Sequence, residues 1–223
     1  MALPIGVSRE SCHSAMGRRW AVAALLALLW LASGGRGASA ALVDAGTPRG
    51  AVTSAIDDAI AILHNTGIAV EQRRRELRAL AERNLDLAKM AGDVLGTHWT
   101  EMTPVQQQGF VPLFEAFIEA AYLGEIQEYA KLKIEVGAET REGADHARVD
   151  ATVLQPGEDS IEITFLLERT PRGWLMYDVV VDDIAMVANY RAQFDRVIRN
   201  RGLSSLEAEL RIKQAKLDAM LGE

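Results

Sequence analysis

The sequence has few residues that support disulfide, thiol or metal chemistry. Its only cysteine is Cys12, so no internal disulfide can form. Three histidines follow residue 40, namely His64, His98 and His146. They are scattered, with no second histidine or cysteine at ligand spacing, which argues against a metal site. Aromatic residues make up only 6% of the chain.

The sequence also lacks the short motifs of common enzyme classes. No serine lies in a nucleophile elbow, and no glycine-rich loop follows a strand to hold phosphate. The adjacent carboxylates Asp57-Asp58 and Asp182-Asp183 point apart in a helix or strand, so we interpret them as solvated ends. These absences favour a protein that is not an enzyme and needs no cofactor.

The N-terminus has the pattern of a cleaved export signal. Arg18 and Arg19 precede an apolar stretch over residues 20–31, and Ala38-Ser39-Ala40 follows as a cleavage site. About a dozen apolar residues are too few to span a bilayer, which takes roughly 20. The pattern predicts a signal peptide over 1–40 and a single domain over 41–223, with either Met1 or Met16 as the true start.

The charge balance limits the partners of the mature chain. Cleavage after Ala40 removes four arginines and one glutamate, so 24 basic and 31 acidic residues become 20 and 30. The net charge then changes from −7 to −10. An acidic surface repels both nucleic acid and anionic lipid headgroups. We therefore expect no nucleic-acid partner and only transient membrane contact.

Apolar periodicity predicts helices in the first half of the domain. Val52, Ile56, Ile60 and Leu63 share one helical face, and a second helical region runs from about residue 70 to residue 95. Thr103-Pro104 predicts the start of a third helix, which carries the apolar stripe. In this stripe lie Val105, Phe110, Leu113, Phe114, Phe117 and Ile118.

The second half of the domain changes to strand periodicity. Strands are predicted over about 129–139, 146–154, 160–169 and 174–181, and their short connections favour an antiparallel meander. Two helices follow, over about 184–200 and from Ser204 or Ser205 onward. This order predicts an α+β fold, in which helices pack on one face of a curved four-stranded antiparallel sheet.

Two blocks of sequence resemble the MlaC family, also called the toluene-tolerance phospholipid-binding family. The first is Leu95-Gly96-Thr97-His98-Trp99, followed by Thr103-Pro104, Gln107 or Gln108 and the phenylalanine stripe that ends in Tyr122. The second is Trp174-Leu175-Met176-Tyr177-Asp178-Val179, followed by Asn189-Tyr190-Arg191-Ala192-Gln193-Phe194. The chain departs from the family at Asp183-Ile184-Ala185, where the family usually has a Gly-Val-Ser turn.

This resemblance implies a fold and a function. The implied fold is a nuclear transport factor 2-like cone with extra N- and C-terminal helices. The implied function is that of a periplasmic carrier, which maintains outer-membrane lipid asymmetry by carrying phospholipid between an outer-membrane lipoprotein complex and an inner-membrane ABC transporter. The implied cargo is a bound phospholipid rather than a cofactor.

The candidate lipid-binding residues lie on the third helix and on the apolar strand faces. They either line a pocket or fill an ordinary core, and the sequence does not separate the two. They are Phe110, Phe114, Phe117, Val149, Ala151, Val153, Ile163, Phe165, Leu167, Trp174, Met176 and Tyr177. Arg191 is a candidate either for binding the headgroup or for an internal buttress paired with Asp178. Arg73, Arg74 and Arg75 are expected on a solvated face.

Two other functions remain alternatives. A periplasmic chaperone or lipoprotein carrier would use the same kind of apolar cavity. An isomerase on the same cone fold would use a carboxylate and a tyrosine, and Tyr122, Tyr177 and Asp178 are the candidates for those roles.

Overall fold

The structure is a computed structural model, and it describes residues 46–129, 132–157 and 159–221. The predicted signal peptide and its cleavage site lie outside these residues. The described part contains seven helices. They are α1 (Pro48–His64), α2 (Val70–Asn84), α3 (Leu87–Leu95), α4 (Thr97–Glu101), α5 (Pro104–Tyr129), α6 (Met186–Arg201) and α7 (Leu203–Leu221).

Helix α1 begins at the sequence signals expected for a helix start. The Thr47 side chain accepts a hydrogen bond from the Gly50 amide at 3.1 Å, and Pro48 occupies the first helical turn. Val52, Ile56 and Ile60 are all buried, as their spacing predicts. Helix α1 packs across β1, β2 and β4.

The single helical region predicted over 70–95 is wrong, because the chain breaks after Asn84. Leu85 leaves the helix and forms a parallel bridge with Met176, so the chain makes one short contact along the sheet. Asp86 then caps the next helix, since its side chain accepts from the Lys89 amide at 2.9 Å. The break turns one predicted helix into α2 and α3.

The sheet is antiparallel, with the strand order β1-β2-β3-β4-β5. Its strands are β1 (Lys133–Glu142), β2 (His146–Leu154), β3 (Ile161–Thr170), β4 (Gly173–Val181) and β5 (Ile184–Ala185). The meander and the α+β class are confirmed, but two details of the prediction are wrong. Helix α5 continues to Tyr129, so β1 begins four residues later than predicted, and a fifth strand of two residues follows β4.

Strand β5 forms because the chain turns tightly after β4. Asp182 and Asp183 have positive φ angles of 44° and 67°, and Val181 pairs with Ile184 across them. A two-residue hairpin turn of type I′ requires positive φ at both of its central residues. Aspartate tolerates positive φ better than most residues do.

Strand β1 is an edge of the sheet, and α1 contacts it through Arg49. The Arg49 side chain donates to the Val136 carbonyl at 3.1 Å, and its amide donates to Glu139 Oε2 at 2.9 Å. The register of β1 shifts between Val136 and Glu139, and that of the β3–β4 pair shifts between Leu166 and Leu167. Such bulges bend strands and increase their twist.

The core lies between the helices and one face of the sheet. All five phenylalanines of the chain are in this core, each at most 1% exposed. In the part of the chain that the structure describes, no helix combines the length and the apolar character needed to cross a membrane.

Candidate functional site

The inner face of the sheet is a continuous apolar surface. Alternate residues of β2 and β3 point to it, and its cross-strand rows include Val149, Phe165 and Val179. Strand β2 contributes only Ala147, Val149, Ala151 and Val153, each at most 1% exposed. The side chains on β3 are larger: Ile161, Ile163, Phe165 and Leu167. The sheet therefore presents its shortest side chains next to the edge strand.

The opposite wall is formed by an aromatic cluster, which we define as Trp99, Phe110, Phe114, Phe117, Tyr190 and Phe194. The rings form an unbroken chain of contacts from α4 through α5 to α6. Trp99 meets Phe110 edge-on at 6.5 Å between centroids, and Phe117 meets Tyr190 at 5.0 Å and Phe194 at 5.6 Å. Such ring pairs stabilise a fold by more than the burial of their apolar area alone.

The structure brings most of the predicted lipid-binding residues together in this interior. Phe110, Phe114 and Phe117 lie on the helical wall, and Val149, Ala151, Val153, Ile163, Phe165 and Leu167 lie on the sheet wall. Met176 pairs with Leu167 on the same face. Trp174 lies near the start of β4, and the guanidinium carbon of Arg141 is 4.9 Å from the centre of its ring.

Tyr177 lies apart from the other predicted lipid-binding residues. It is only half-buried, and it is the extra residue at the β3–β4 bulge. Its ring meets His146 at 6.2 Å, and the Lys89 ammonium lies 4.9 Å above it. Burial raises the pKa of the Tyr177 hydroxyl, an effect that the Lys89 charge opposes.

Arg191 contacts backbone at the end of a helix. Its Nε donates to the Asp93 carbonyl at 2.6 Å, one of the last carbonyls of α3, which have no partner within the helix. The Arg191 side chain packs against Gly96, and a Cβ added to this glycine would lie 3.6 Å from Arg191 Cδ. Gly96 also has a φ of +56°. The contact ties α6 to the end of α3, where a positive charge is also favoured by the helix dipole.

Asp178 is 8% exposed and caps the start of α6. Its Oδ1 accepts from the Val179 amide at 2.8 Å and from the Val187 amide at 3.0 Å. Burial raises the pKa of its carboxyl, and these two hydrogen bonds and the Arg191 charge oppose the rise. Both bonds hold Asp178 to backbone, so the candidate isomerase carboxylate has a structural task. The side chain of Tyr122 lies outside what the structure describes.

A polar contact between α2 and α5 was missed by sequence reasoning. Arg74 and Arg78 of α2 both form ion pairs with Glu119 of α5, and the side chains of Arg74 and Glu119 are each 12% exposed. The expectation that Arg74 lies on a solvated face is therefore wrong. The signal was present in α5, where Glu115 and Glu119 are four residues apart in the apolar middle of the helix and so share a face.

Glu115 extends the same contact. Its carboxyl group faces Glu82 of α2, and burial, followed by the Glu82 charge, raises the pKa of Glu115, while Arg78 opposes the rise. The backbones of α2 and α5 do not pack closely against each other. The two helices are thus joined here by charged side chains.

Over residues 46–129, 132–157 and 159–221, no three His, Cys, Asp or Glu side chains lie close enough together to bind a metal ion. The arrangement offers instead an apolar interior between an aromatic wall and the inner face of the sheet. Such an interior is suited to binding apolar chains.

Two comparisons with known proteins agree with this architecture. The sequence profile of the family described as MlaC protein matches residues 53–212, from α1 into α7. The fold matches the solved structure of the phospholipid-binding protein from Ralstonia solanacearum in complex with a phospholipid, with a TM-score of 0.67 and 22% sequence identity. That match covers 76% of this chain and 98% of the other. At this identity the structural likeness establishes the fold.

Proposed function

Because the chain belongs to the MlaC protein family, we propose that it is a phospholipid-binding protein rather than an enzyme. The observation that carries the proposal is the apolar interior between the aromatic cluster and the inner face of the sheet. The Ralstonia protein, which has the same fold, was solved in complex with a phospholipid. The apolar interior of this chain supports the same class of cargo.

The energetics of lipid transfer require such an interior. A two-tailed lipid exposes about 30 methylenes when it leaves a bilayer, at about 0.8 kcal/mol each. The cost is about 24 kcal/mol unless the protein covers the chains with apolar surface. Both walls consist of apolar side chains that meet this need, and those of β2 are the smallest.

We propose that the acyl chains lie between the two walls. The residues that contact them are Phe110, Phe114, Phe117, Val149, Ala151, Val153, Ile163, Phe165, Leu167, Trp174 and Met176. Tyr177 is left out, because its ring contacts His146 and Lys89. Arg191 is proposed as a buttress rather than a headgroup ligand, since its Nε is used by the Asp93 carbonyl.

The sheet is proposed to curve around the lipid in the manner of a nuclear transport factor 2-like cone. The bulges in β1 and at the β3–β4 pair support this shape, because each bends its strand. The helices on one face then close the wide end of the cone over the chains.

The cellular role proposed for the protein is that of a periplasmic carrier. Export through a signal peptide over residues 1–40 would release an acidic domain over 41–223 without a disulfide. This domain is proposed to exchange phospholipid with an inner-membrane ABC transporter and an outer-membrane lipoprotein complex, and so to maintain the lipid asymmetry of the outer membrane. The family membership supports this role.

The test is to express the full precursor in a Gram-negative bacterium, purify it from the periplasm without detergent and record native mass spectra. We expect about one phospholipid per protein and a mature N-terminus at Ala41. Protein recovered only from the cytoplasm with residues 1–40 intact would contradict the proposed export. Protein without lipid would contradict the proposed binding.

A substitution at Ala151 separates a lipid-filled interior from a solid core. If lipid occupies the space beside β2, Ala151→Leu should displace the lipid and leave a stable fold. If the core is solid, the same change should cost about 1–3 kcal/mol through overpacking and contradict the proposed binding mode. Ala208→Leu is the matched control, because Ala208 is exposed on α7 and the change there should affect neither lipid content nor stability.

A further inference from the structure

Helix α7 has a lysine, Lys213, at a position where the spacing of its buried leucines predicts an apolar residue. Leu206 and Leu210 are both at most 1% exposed, and Lys213 follows three residues later on the same face. The Lys213 ammonium lies over the ring of Phe117, 4.9 Å from its centroid. Burial lowers the pKa of Lys213, with the Glu209 charge opposing this and the Lys216 charge adding to it.

Lys213 does not form the ion pair that its own helix offers. Glu209 lies four residues earlier, at the spacing that favours a salt bridge, yet the two form no ion pair within 4 Å. Glu209 is bound instead by Arg201 through Oε1, and its buried Oε2 has no hydrogen-bond partner within the described ranges. The described contact of the ammonium is instead with the Phe117 ring of the aromatic cluster.

Two features of this arrangement favour an anionic ligand. A cation that has lost part of its water is costly unless an anion approaches it, and the contact is then stronger than in bulk water. The ring of Phe117, which belongs to the proposed lipid-binding wall, lies directly beneath the charge. An anion that reaches Lys213 is therefore placed where apolar chains attached to it can enter the interior.

We propose that Lys213 binds the phosphate group of the phospholipid whose acyl chains lie against Phe117. This inference rests on the proposed function. It assigns a polar end to the binding site, at the junction of α7 and α5, and it makes Lys213 the residue that discriminates a phospholipid from an uncharged diacylglycerol.

The experiment compares two labelled ligands, phosphatidylglycerol and the diacylglycerol with the same acyl chains, on delipidated full-length mature protein. Lys213→Met should weaken phosphatidylglycerol binding by about tenfold or more, as expected for the loss of one charge-assisted contact. Diacylglycerol binding should be unchanged or tighter. Lys216→Met is the matched control, because it removes the same charge from an exposed position on the same helix, and it should weaken phosphatidylglycerol binding far less than Lys213→Met does.

Two further measurements separate ligand binding from a structural role. Lys213→Met should unfold at a higher temperature than the wild type, because it removes a partly buried charge, and a lower unfolding temperature would indicate that Lys213 supports the fold instead. Lys213→Arg should retain most of the phosphatidylglycerol affinity, because it retains the charge. Loss of affinity in Lys213→Arg equal to that in Lys213→Met would contradict the assignment.

The outcomes distinguish this inference from the proposed function. If the wild type binds neither ligand, the proposed function is wrong and the inference falls with it. If the wild type binds phosphatidylglycerol and Lys213→Met binds it equally well, the function stands and Lys213 is not its phosphate ligand. The last comparison uses glycerol phosphate, which has no acyl chains. If it raises the unfolding temperature of the wild type, Lys213 binds soluble phosphates, and its assignment to the lipid phosphate is overturned.

Discussion

Helix α5 has two buried faces that are held by different physical forces. On one face Phe110, Phe114 and Phe117 pack into the aromatic cluster, each at most 1% exposed. On another face Glu119 pairs with Arg74 and Arg78 of α2. Apolar packing depends on volume and shape and tolerates salt, whereas the polar contact depends on charge and protonation.

The difference indicates which contacts of α5 can separate. Removing an aromatic side chain leaves a cavity in the core, because its neighbours relax only partly. The described polar contacts between α2 and α5 are the ion pairs of Glu119 and the Glu82–Glu115 contact, and their strength depends on charge. We therefore expect the two faces to respond differently to truncation, salt and pH.

The largest effect is expected on the aromatic face. Phe114→Ala should lower the free energy of unfolding by about 4 kcal/mol, because Phe114 is fully buried and its ring contacts Phe110 and Phe117. Urea unfolding at two salt concentrations measures the loss, which should not depend on salt. Val105→Ala is the control on the same helix, since Val105 is 77% exposed. A loss below about 1 kcal/mol would contradict the packing of Phe114 into the aromatic cluster.

A somewhat smaller effect is expected on the charged face. Glu119→Ala should cost about 3 kcal/mol, because it removes the carboxylate that pairs with the nearly buried Arg74 guanidinium. Glu101→Ala should change stability by less than about 0.5 kcal/mol, because Glu101 is 74% exposed and its ion pair with His98 is 3.8 Å long. The same urea experiment measures the stability of both variants. Equal losses of stability would contradict the claim that the Glu119 ion pairs contribute more than the exposed Glu101 pair.

The smallest effect is expected from Glu115→Gln, and its size depends on pH. Burial and the Glu82 charge raise the pKa of Glu115 above its ordinary value of 4.5. The stability that the neutral carboxyl contributes is complete below about pH 4.5 and is lost as the pH rises through the higher pKa of the folded state. The variant should therefore unfold at most about 2 °C higher than the wild type at pH 7 and at the same temperature near pH 4. An unchanged difference at the two pH values would contradict this titration.

Helix and strand periodicity predicted most of the fold, and the misses have local physical causes. The break at Leu85 was missed because an apolar residue and an aspartate within a helical pattern resemble helix interior, whereas the backbone bridge to Met176 that fixes the break is not encoded nearby. The late start of β1 was missed because α5 continues to Tyr129 through residues that fit either periodicity. The family resemblance was readable from the order of two motifs and is confirmed by the family match.

The site was partly predictable, because buried apolar faces have a strong sequence signal. The alternation in β3 placed Ile163, Phe165 and Leu167 on one face, and the structure has them there. The charged contacts were harder to predict, since Arg74 looks like a surface residue until Glu119 is brought to it from 45 positions away. The sequence does show that Lys213 follows Leu206 and Leu210 on the same face of a helix. Only the structure shows that its ammonium lies over Phe117, and that position gives the charge a role.

The contact of Arg49 with the edge strand bears on how this protein behaves at high concentration. An exposed edge invites pairing with the edge of another molecule, which leads to aggregation. Here the Val136 carbonyl is already bound by Arg49, and the register shift beside it interrupts the regular ladder. The charged residues Lys133, Glu135 and Arg141 on β1 add to this protection. A single arginine at the start of α1 therefore helps to keep the sheet from growing beyond its own molecule.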